Sequence, residues 1–206
     1  MGVINVTPDS FSDGGLYLEV GNSCRRASDL IYQGVDVLDI GAQSTRPQAE
    51  VVGSEEELRR LIPPLLAIRR NHPEVLISID TFNSNVAEEA LLKGANWIND
   101  VTAGRHDSRL LNVVAEAGCP FVMTHSRGNS KTMDSFAQYK DVSKEVLSEM
   151  LISTEEAIKI GIKPRNIIWD PGLGFAKNTQ HNITLLKEIQ LFIEEGFPIL
   201  LGPSRK

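Results

Sequence analysis

Polar side chains recur where the short apolar runs of this sequence stop. Asn5 closes Val3-Ile4-Asn5, Asp39 follows Val37-Leu38, and Asp80 follows Leu76–Ile79. Asn99 and Asp100 follow Trp97-Ile98, His125 follows Phe121–Thr124, and Asp170 follows Ile167–Trp169. Lys206 lies five residues past Leu201. If the runs are strands, carboxylates, amides, an imidazole and an ammonium share one mouth. In parallel α/β folds the ligand sits at the C-terminal ends of the strands. One such residue alone is ambiguous, because a strand-end Asp is commonly a helix cap or a turn former. Asp100 could cap the loop that follows it, and His125 could be a structural hydrogen-bonder. The recurrence at most strand ends carries the functional reading, since capping does not need this many carboxylates.

Two loops add chemistry of their own. The run Asn5-Val6-Thr7-Pro8-Asp9-Ser10-Phe11-Ser12-Asp13-Gly14-Gly15 is long for a βα connection and ends in paired glycines. Phe11, an apolar side chain among turn formers, suits a mobile lid better than an ordinary surface loop. In Gly41-Ala42-Gln43-Ser44-Thr45-Arg46-Pro47, hydroxyls stand beside an arginine after a glycine. Hydroxyl donors and a guanidinium fork suit phosphate oxygens, although a solvated surface arginine looks the same in isolation. The ending Gly202-Pro203-Ser204-Arg205-Lys206 repeats the theme. Its lysine could bind phosphate or form a Schiff base, and spacing does not separate the two.

These residues need a scaffold. Apolar runs at Val3–Val6, Val35–Ile40, Val75–Ile79, Trp97–Ile98, Phe121–Met123, Ile167–Trp169 and Pro198–Leu201 read as buried parallel strands. Helical stretches alternate with them. Ser23–Gln33 follows Asn22 as its cap, and Leu58–Arg70 follows a capping-box pattern from Ser54 to Glu57. Asn83–Lys93, Asp107 or Ser108 to Ala117, Val142–Ile160 and Asn182–Glu195 each end at a glycine, which supplies the left-handed residue helix ends use. Seven strands and six helices in strict alternation imply one α/β domain with a parallel sheet. A doubly wound sheet and an eight-fold barrel both fit the alternation, and the barrel is the preferred reading. A complete TIM barrel has about 250 residues. On that reading, residues 1–206 form a (β/α)8 barrel lacking helix seven and the eighth βα unit.

Composition narrows the partners. The 206 residues carry a net charge of -6, which argues against nucleic acid or an anionic membrane as main partner. No apolar run approaches the roughly 18–20 residues of a membrane span. Cys24 and Cys119 match no metal spacing or disulfide framework, so a reducing compartment is expected.

The run Asn5–Gly15, Ser44-Thr45-Arg46-Pro47, Asp80, Ile98-Asn99-Asp100, Asp170-Pro171-Gly172-Leu173-Gly174-Phe175 and Ser204-Arg205-Lys206 stand in the order found in dihydropteroate synthases. The chain resembles that family over essentially its whole length. The resemblance implies a transferase of folate biosynthesis that condenses 6-hydroxymethyl-7,8-dihydropterin pyrophosphate with p-aminobenzoate. Products would be 7,8-dihydropteroate and pyrophosphate, with magnesium assisting and sulfonamides as inhibitors. It implies that Asp80, Asn99, Asp170, Phe175 and Lys206 line a pterin pocket. Thr45, Arg46 and Ser204 would meet pyrophosphate and p-aminobenzoate, and Asn5 would help hold magnesium. Asn5, Thr45, Arg46 and Lys206 would carry catalysis, under a lid of Thr7, Pro8, Asp9, Ser10 and Phe11. A cytoplasmic homodimer is implied for the full-length protein, or an organellar one if a transit peptide has been removed. Gln43 and Thr124 depart from the usual glutamate and methionine. The family's Arg-x-His segment of strand eight is not found, so this chain alone is expected to be impaired. Rival readings are a pterin-binding methyltetrahydrofolate methyltransferase-like protein, a Schiff-base aldolase on Lys206, and a non-catalytic pterin-binding paralogue.

Overall fold

The computed structural model describes residues 1–6, 15–43 and 52–203. Among the described residues, six strands alternate with helices. They are β1 (Gly2–Asn5), β2 (Val37–Gly41), β3 (Leu76–Asp80), β4 (Trp97–Asp100), β5 (Phe121–Thr124) and β6 (Ile167–Asp170). The helices are α1 (Gly15–Tyr32), α2 (Ser54–Asn71), α3 (Ser84–Leu92), α4 (Arg109–Ala117), α5 (Val142–Ile160), α6 (Thr179–Lys187) and the short α7 (Gln190–Ile193). All pairings are parallel, and the strand order is β1-β2-β3-β4-β5-β6. A doubly wound sheet would reverse its order at a switch point. This one never does, and each of the helices α1 to α6 packs against the next in sequence. Right-handed crossovers repeated in one direction put all helices on one face, which is the wall of a (β/α)8 barrel. The sheet is an arc of that barrel.

Register decides what each face carries. Outward on the arc stand Ile4, Leu38, Ile40, Ile77, Ile79, Ile98, Phe121, Met123, Ile167 and Trp169, all in one core with the helices. Trp169 is fully buried, and its indole Nε1–H donates to Thr154 Oγ1 on α5 at 2.9 Å. Inward, the alternate positions include Asn5, Asp39, Ser78, Asp80, Asn99, Thr124 and Asp170. The register pairs Val3 with Asp39, Asp39 with Ser78, Gly41 with Asp80, Asp80 with Asn99, and Thr124 with Asp170. A strand's period of two therefore puts this polar set on a single face.

Four expectations are corrected. The seventh strand is a single parallel bridge, Trp169 to Ile199, made by Trp169 N–H to Pro198 O and Leu200 N–H to Trp169 O, both 2.8 Å. Continuing that ladder needs an N–H from the residue two beyond Trp169, which is Pro171. Asn22 lies inside α1 rather than capping it, and the cap of α2 is Gly53, without a side-chain cap bond, so Ser54 is the first helical residue. The helix expected over Asn182–Glu195 is two helices, α6 and α7; α6 starts earlier, behind Asn178. There Asn178 and His181 form a reciprocal capping box. The glycine stops hold: Gly94, Gly118, Gly161 and Gly196 all have φ between 63° and 119°.

Candidate active site

Five of the expected site residues line one cavity, which runs along the inner face of the sheet from its N-terminal to its C-terminal end. Asp80, Asn99, Asp170 and Phe175 border an interior cavity of about 670 Å³, together with Asn5, Asp39, Thr124 and residues 198–202. Asp36 also lines it, and among the described lining residues there is no lysine or arginine. Asp80 leans over Gly41: a Cβ there would stand 3.1 Å from Asp80 Oδ2, so a residue without a side chain makes room for the carboxylate. Asp170 ends β6, and its Oδ1 accepts the Gly172 N–H at 2.8 Å. Burial pushes the Asp170 carboxyl up to about 6, against the Gly172 N–H bond and the nearby Lys177 charge. Thr45, Arg46, Ser204, Lys206 and the lid Thr7–Phe11 lie outside the described residues.

The floor of the cavity holds chemistry that the sequence reading noted but did not assign. Asp39 is 4% exposed, and its Oδ2 accepts from Asn99 Nδ2 at 3.1 Å. A carboxylate can only accept here, so the Asn99 amide must turn its nitrogen to Asp39 and leave Oδ1 as an acceptor. Asp39 Oδ1, Ser78 Oγ and Asn99 Oδ1 are buried without a partner among the described residues. Unused hydrogen-bonding capacity in so buried a place suits a polar ligand or ordered water. Burial raises the Asp39 carboxyl, and the Asn99 bond and the nearby Ser78 hydroxyl oppose it.

Asp100 and His125 take the structural reading. Asp100 is fully buried on the outward face, and accepts from Thr102 N–H, Thr102 Oγ–H and Gly104 N–H at 2.7, 2.8 and 2.6 Å. It caps its own loop. His125 is buried between Glu149 and Lys177. Burial holds its imidazole down to about 4, although the Glu149 bond pulls upward.

A second cavity, also about 670 Å³, lies among the loops beyond β2 to β6. It shares Val101 and Phe175 with the first. Its described walls carry Arg105, Arg127 and Lys131 but no carboxylate, with Phe82, His106 and Met133. Phe82 and His106 pack edge-to-face, centroids 4.4 Å apart. Arg105 bonds Ser126 O at 2.7 Å and Ser126 Oγ at 2.9 Å. Arg127 pairs with Glu145 and Glu149 and covers the Tyr139 ring at 4.0 Å. No spacing in the sequence marks this basic wall, because it is assembled from two loops.

Gln43 ties the two ends of the 44–51 loop. Its Nε2 donates to Val52 O and to Glu57 Oε2, both at 2.8 Å, and its Oε1 accepts the Val52 N–H at 3.2 Å. Glu57 also accepts from Asn83 Nδ2 at 2.6 Å. A glutamate at 43 would set a second carboxylate against Glu57; the amide supplies the donors this place needs. Among the described residues, no group of three or more His, Cys, Asp or Glu is arranged to hold a metal. Nor is any helix among them long and apolar enough to cross a membrane.

An arc of parallel barrel whose strand ends gather carboxylates and an amide around one cavity defines a small-molecule site of the (β/α)8 type. The chain belongs to the pterin-binding enzyme family, which it matches over residues 1–206. It is 41% identical to the dihydropteroate synthase of Synechocystis sp., a match covering the whole chain and 71% of that protein. It is 44% identical to the mitochondrial folate synthesis bifunctional protein of Arabidopsis thaliana, and spans 40% of that protein's length. Among solved structures, Xanthomonas albilineans dihydropteroate synthase with 4-aminobenzoic acid superposes with a TM-score of 0.91 at 40% identity. The same enzyme in complex with 7,8-dihydropteroate gives 0.87 at 38%. Both matches cover the whole chain and 72% of the solved one.

Proposed function

We propose that the protein of which this chain is part is a dihydropteroate synthase. It joins 6-hydroxymethyl-7,8-dihydropterin pyrophosphate to p-aminobenzoate. The observation that carries this reading is the convergence of Asp80, Asn99 and Asp170 on one cavity beside Phe175. A pterin presents a guanidine-like donor edge, which one ionised carboxylate can accept two-pronged. Asp170, at the end of β6, is suited to that role. Asp80 and the Asn99 amide would take the remaining polar edge, and Phe175 would pack beside the ring. By resemblance, Lys206 would join these residues at the pterin ring. The pyrophosphate and p-aminobenzoate roles go by resemblance to Thr45, Arg46 and Ser204, beneath the lid Thr7–Phe11.

The reaction needs no protein nucleophile. The bond from the pterin methylene carbon to the pyrophosphate oxygen breaks, and its electron pair leaves with pyrophosphate. The positive charge spreads into the pterin ring. The aniline nitrogen of p-aminobenzoate then attacks the methylene carbon and gives up a proton to solvent or to pyrophosphate. An acidic cavity stabilises such a cation, and exclusion of water protects it from hydrolysis. Asn5 is an exposed residue that lines the cavity, and its amide oxygen is a hard donor of the kind magnesium takes. One protein oxygen beside substrate phosphates and water fits that ion, which would neutralise charge on the leaving group. The protein is proposed to work as a homodimer in the cytoplasm or an organelle matrix.

The test is dihydropteroate formation from pterin pyrophosphate and labelled p-aminobenzoate with magnesium, using the full-length protein. Product formation blocked competitively by a sulfonamide is expected. Tight binding of pterin pyrophosphate with no turnover would reduce the protein to a non-catalytic pterin binder.

A further inference from the structure

Behind Asp170 the chain folds into a tight loop, residues 170–177. Three of its residues have positive φ: Gly172 at 70°, Gly174 at 81° and Ala176 at 50°. The last is a left-handed conformation that alanine avoids, so something must hold it. Gly172 is pressed so closely on His125 that a Cβ would stand 1.9 Å from the His125 carbonyl oxygen. Lys177 is buried at the centre of this fold. Its Nζ lies 3.0 Å from Gly172 O, 2.9 Å from Phe175 O and 2.8 Å from His125 Nδ1.

These three nearest acceptors match the three hydrogens of an ammonium, with His125 O further off at 3.4 Å. If Nδ1 accepts from Lys177, the imidazole proton sits on Nε2, where Glu149 Oε2 accepts it at 3.0 Å. Glu149 is held in turn by Arg127. The chain of contacts thus runs from α5, through His125, to Lys177. From there it reaches two carbonyls of the loop that places both Asp170 and Phe175 on the interior cavity.

We infer that Lys177 is a positioning residue. Its ammonium locks the loop that presents Asp170 and Phe175 to the cavity, and its charge favours the ionised Asp170 that accepts a ligand's donor edge. This rests on the pterin-binding role proposed for Asp170. The charged and titratable groups facing Lys177 are Asp170, His125, Arg127, Glu149 and Arg105. Burial lowers the ammonium to about 7, opposed by Asp170 and Glu149 and assisted by Arg127 and Arg105. Removing the lysine's charge lets the Asp170 carboxyl rise, so Asp170 takes up its proton at higher pH.

The experiment is calorimetric binding of 6-hydroxymethyl-7,8-dihydropterin pyrophosphate to the full-length protein between pH 5 and 8, with steady-state kinetics alongside. Lys177→Met is compared with wild type. At pH 6.5 the Kd is expected to rise about tenfold while the KM for p-aminobenzoate stays within about twofold. The acid limb of binding, near pH 6 in wild type, is expected to move upward. A general loosening would weaken binding at every pH and leave the limb in place, and that result overturns the proposal. Lys177→Gln, which removes the charge but keeps two amide hydrogens for the carbonyls, repeats the test if the methionine variant does not fold. Failure of both to fold overturns the inference in favour of a purely structural lysine. Absence of binding by wild type overturns the pterin-binding reading itself, and the inference with it.

Discussion

The interior cavity and the loop cavity meet at Val101 and Phe175, yet their described walls carry opposite charge and are built by different means. The interior wall is written by the β-ladder. Register fixes that Asp39, Asp80, Asn99 and Asp170 face one way, because each stands at an inward position of a parallel strand. The loop wall is held by side chains: Arg105 on Ser126, and Arg127 on Glu145, Glu149 and Tyr139. Backbone pairing gives a fixed acidic site suited to a donor edge. Loop contacts give a basic annex whose shape depends on a few polar bonds. The loop 170–177 stands between them, and its perturbation should have the largest effect on both.

Gly172→Ala is the strongest break. The added methyl would collide with the His125 carbonyl at a backbone angle that disfavours any side chain. Strain and displacement together should cost about 3 kcal/mol or more. Urea unfolding of the full-length protein is expected to show a lowered midpoint. A midpoint within error of wild type would mean the loop yields easily and does not fix Asp170.

Asp170→Asn tests the acidic wall directly. The amide keeps the shape but replaces one acceptor oxygen with a donor aimed at the ligand's own donors. Each charged hydrogen bond lost is worth about 1.5–3 kcal/mol, so pterin affinity should fall about a hundredfold. Calorimetry with pterin pyrophosphate checks it. An affinity within threefold of wild type would move recognition away from this carboxylate.

Much of the interior cavity was legible in the sequence, and the reason is periodicity. A polar residue ending an apolar run of Val and Ile has few places to go, so Asp80, Asn99 and Asp170 could be assigned to one mouth before any coordinates. The glycine stops of α3, α4 and α5 were equally plain. The loop cavity was not legible, because Arg105, Arg127 and Lys131 come from two loops whose paths no local pattern encodes. Lys177 was missed although it lies two residues past the marked run ending at Phe175. Its meaning comes from the left-handed turn at Ala176, which alanine gives no reason to expect. The apparent capping box at Ser54 and Glu57 misled for a related reason. Glu57 is drawn inward by Gln43 and Asn83, a tertiary contact that outweighs the local signal.

The pH dependence of stability separates the groups behind the cavity wall. His125 stays neutral in the folded protein down to about 4, whereas an unfolded histidine protonates near 6.5. The unfolded chain therefore binds more protons between those values, and this contribution to stability is lost as pH falls through that window. Asp170, raised to about 6, acts in the opposite sense: its folded form binds the proton first, so its contribution grows as pH falls. The two offset one another in wild type. His125→Gln keeps an acceptor for Lys177 and a donor for Glu149 while removing the titration. Relative to wild type, its stability at pH 4.5 compared with pH 7 should improve by about 2 kcal/mol, read from urea midpoints. An unchanged difference would show that His125 is not held neutral.

The smallest effect is expected in the basic annex, and its smallness is what it tests. Arg105 is exposed and spends its described hydrogen bonds on Ser126, not on the interior cavity. Truncating it removes a contact between two loops and a positive charge from the annex. Asp80, Asn99 and Asp170 keep their strand-fixed positions. Exposed polar contacts of this kind are worth about 0–1 kcal/mol. Arg105→Ala should therefore shift pterin pyrophosphate affinity by less than about twofold and lower stability by at most about 1 kcal/mol. Calorimetry at low and at moderate salt distinguishes the cases, since any influence through the shared wall at Val101 and Phe175 would be electrostatic and would shrink as salt rises. A tenfold loss that persists at moderate salt would mean that the two cavities act as one site. The opposite charges of their walls would then be two ends of a single recognition surface.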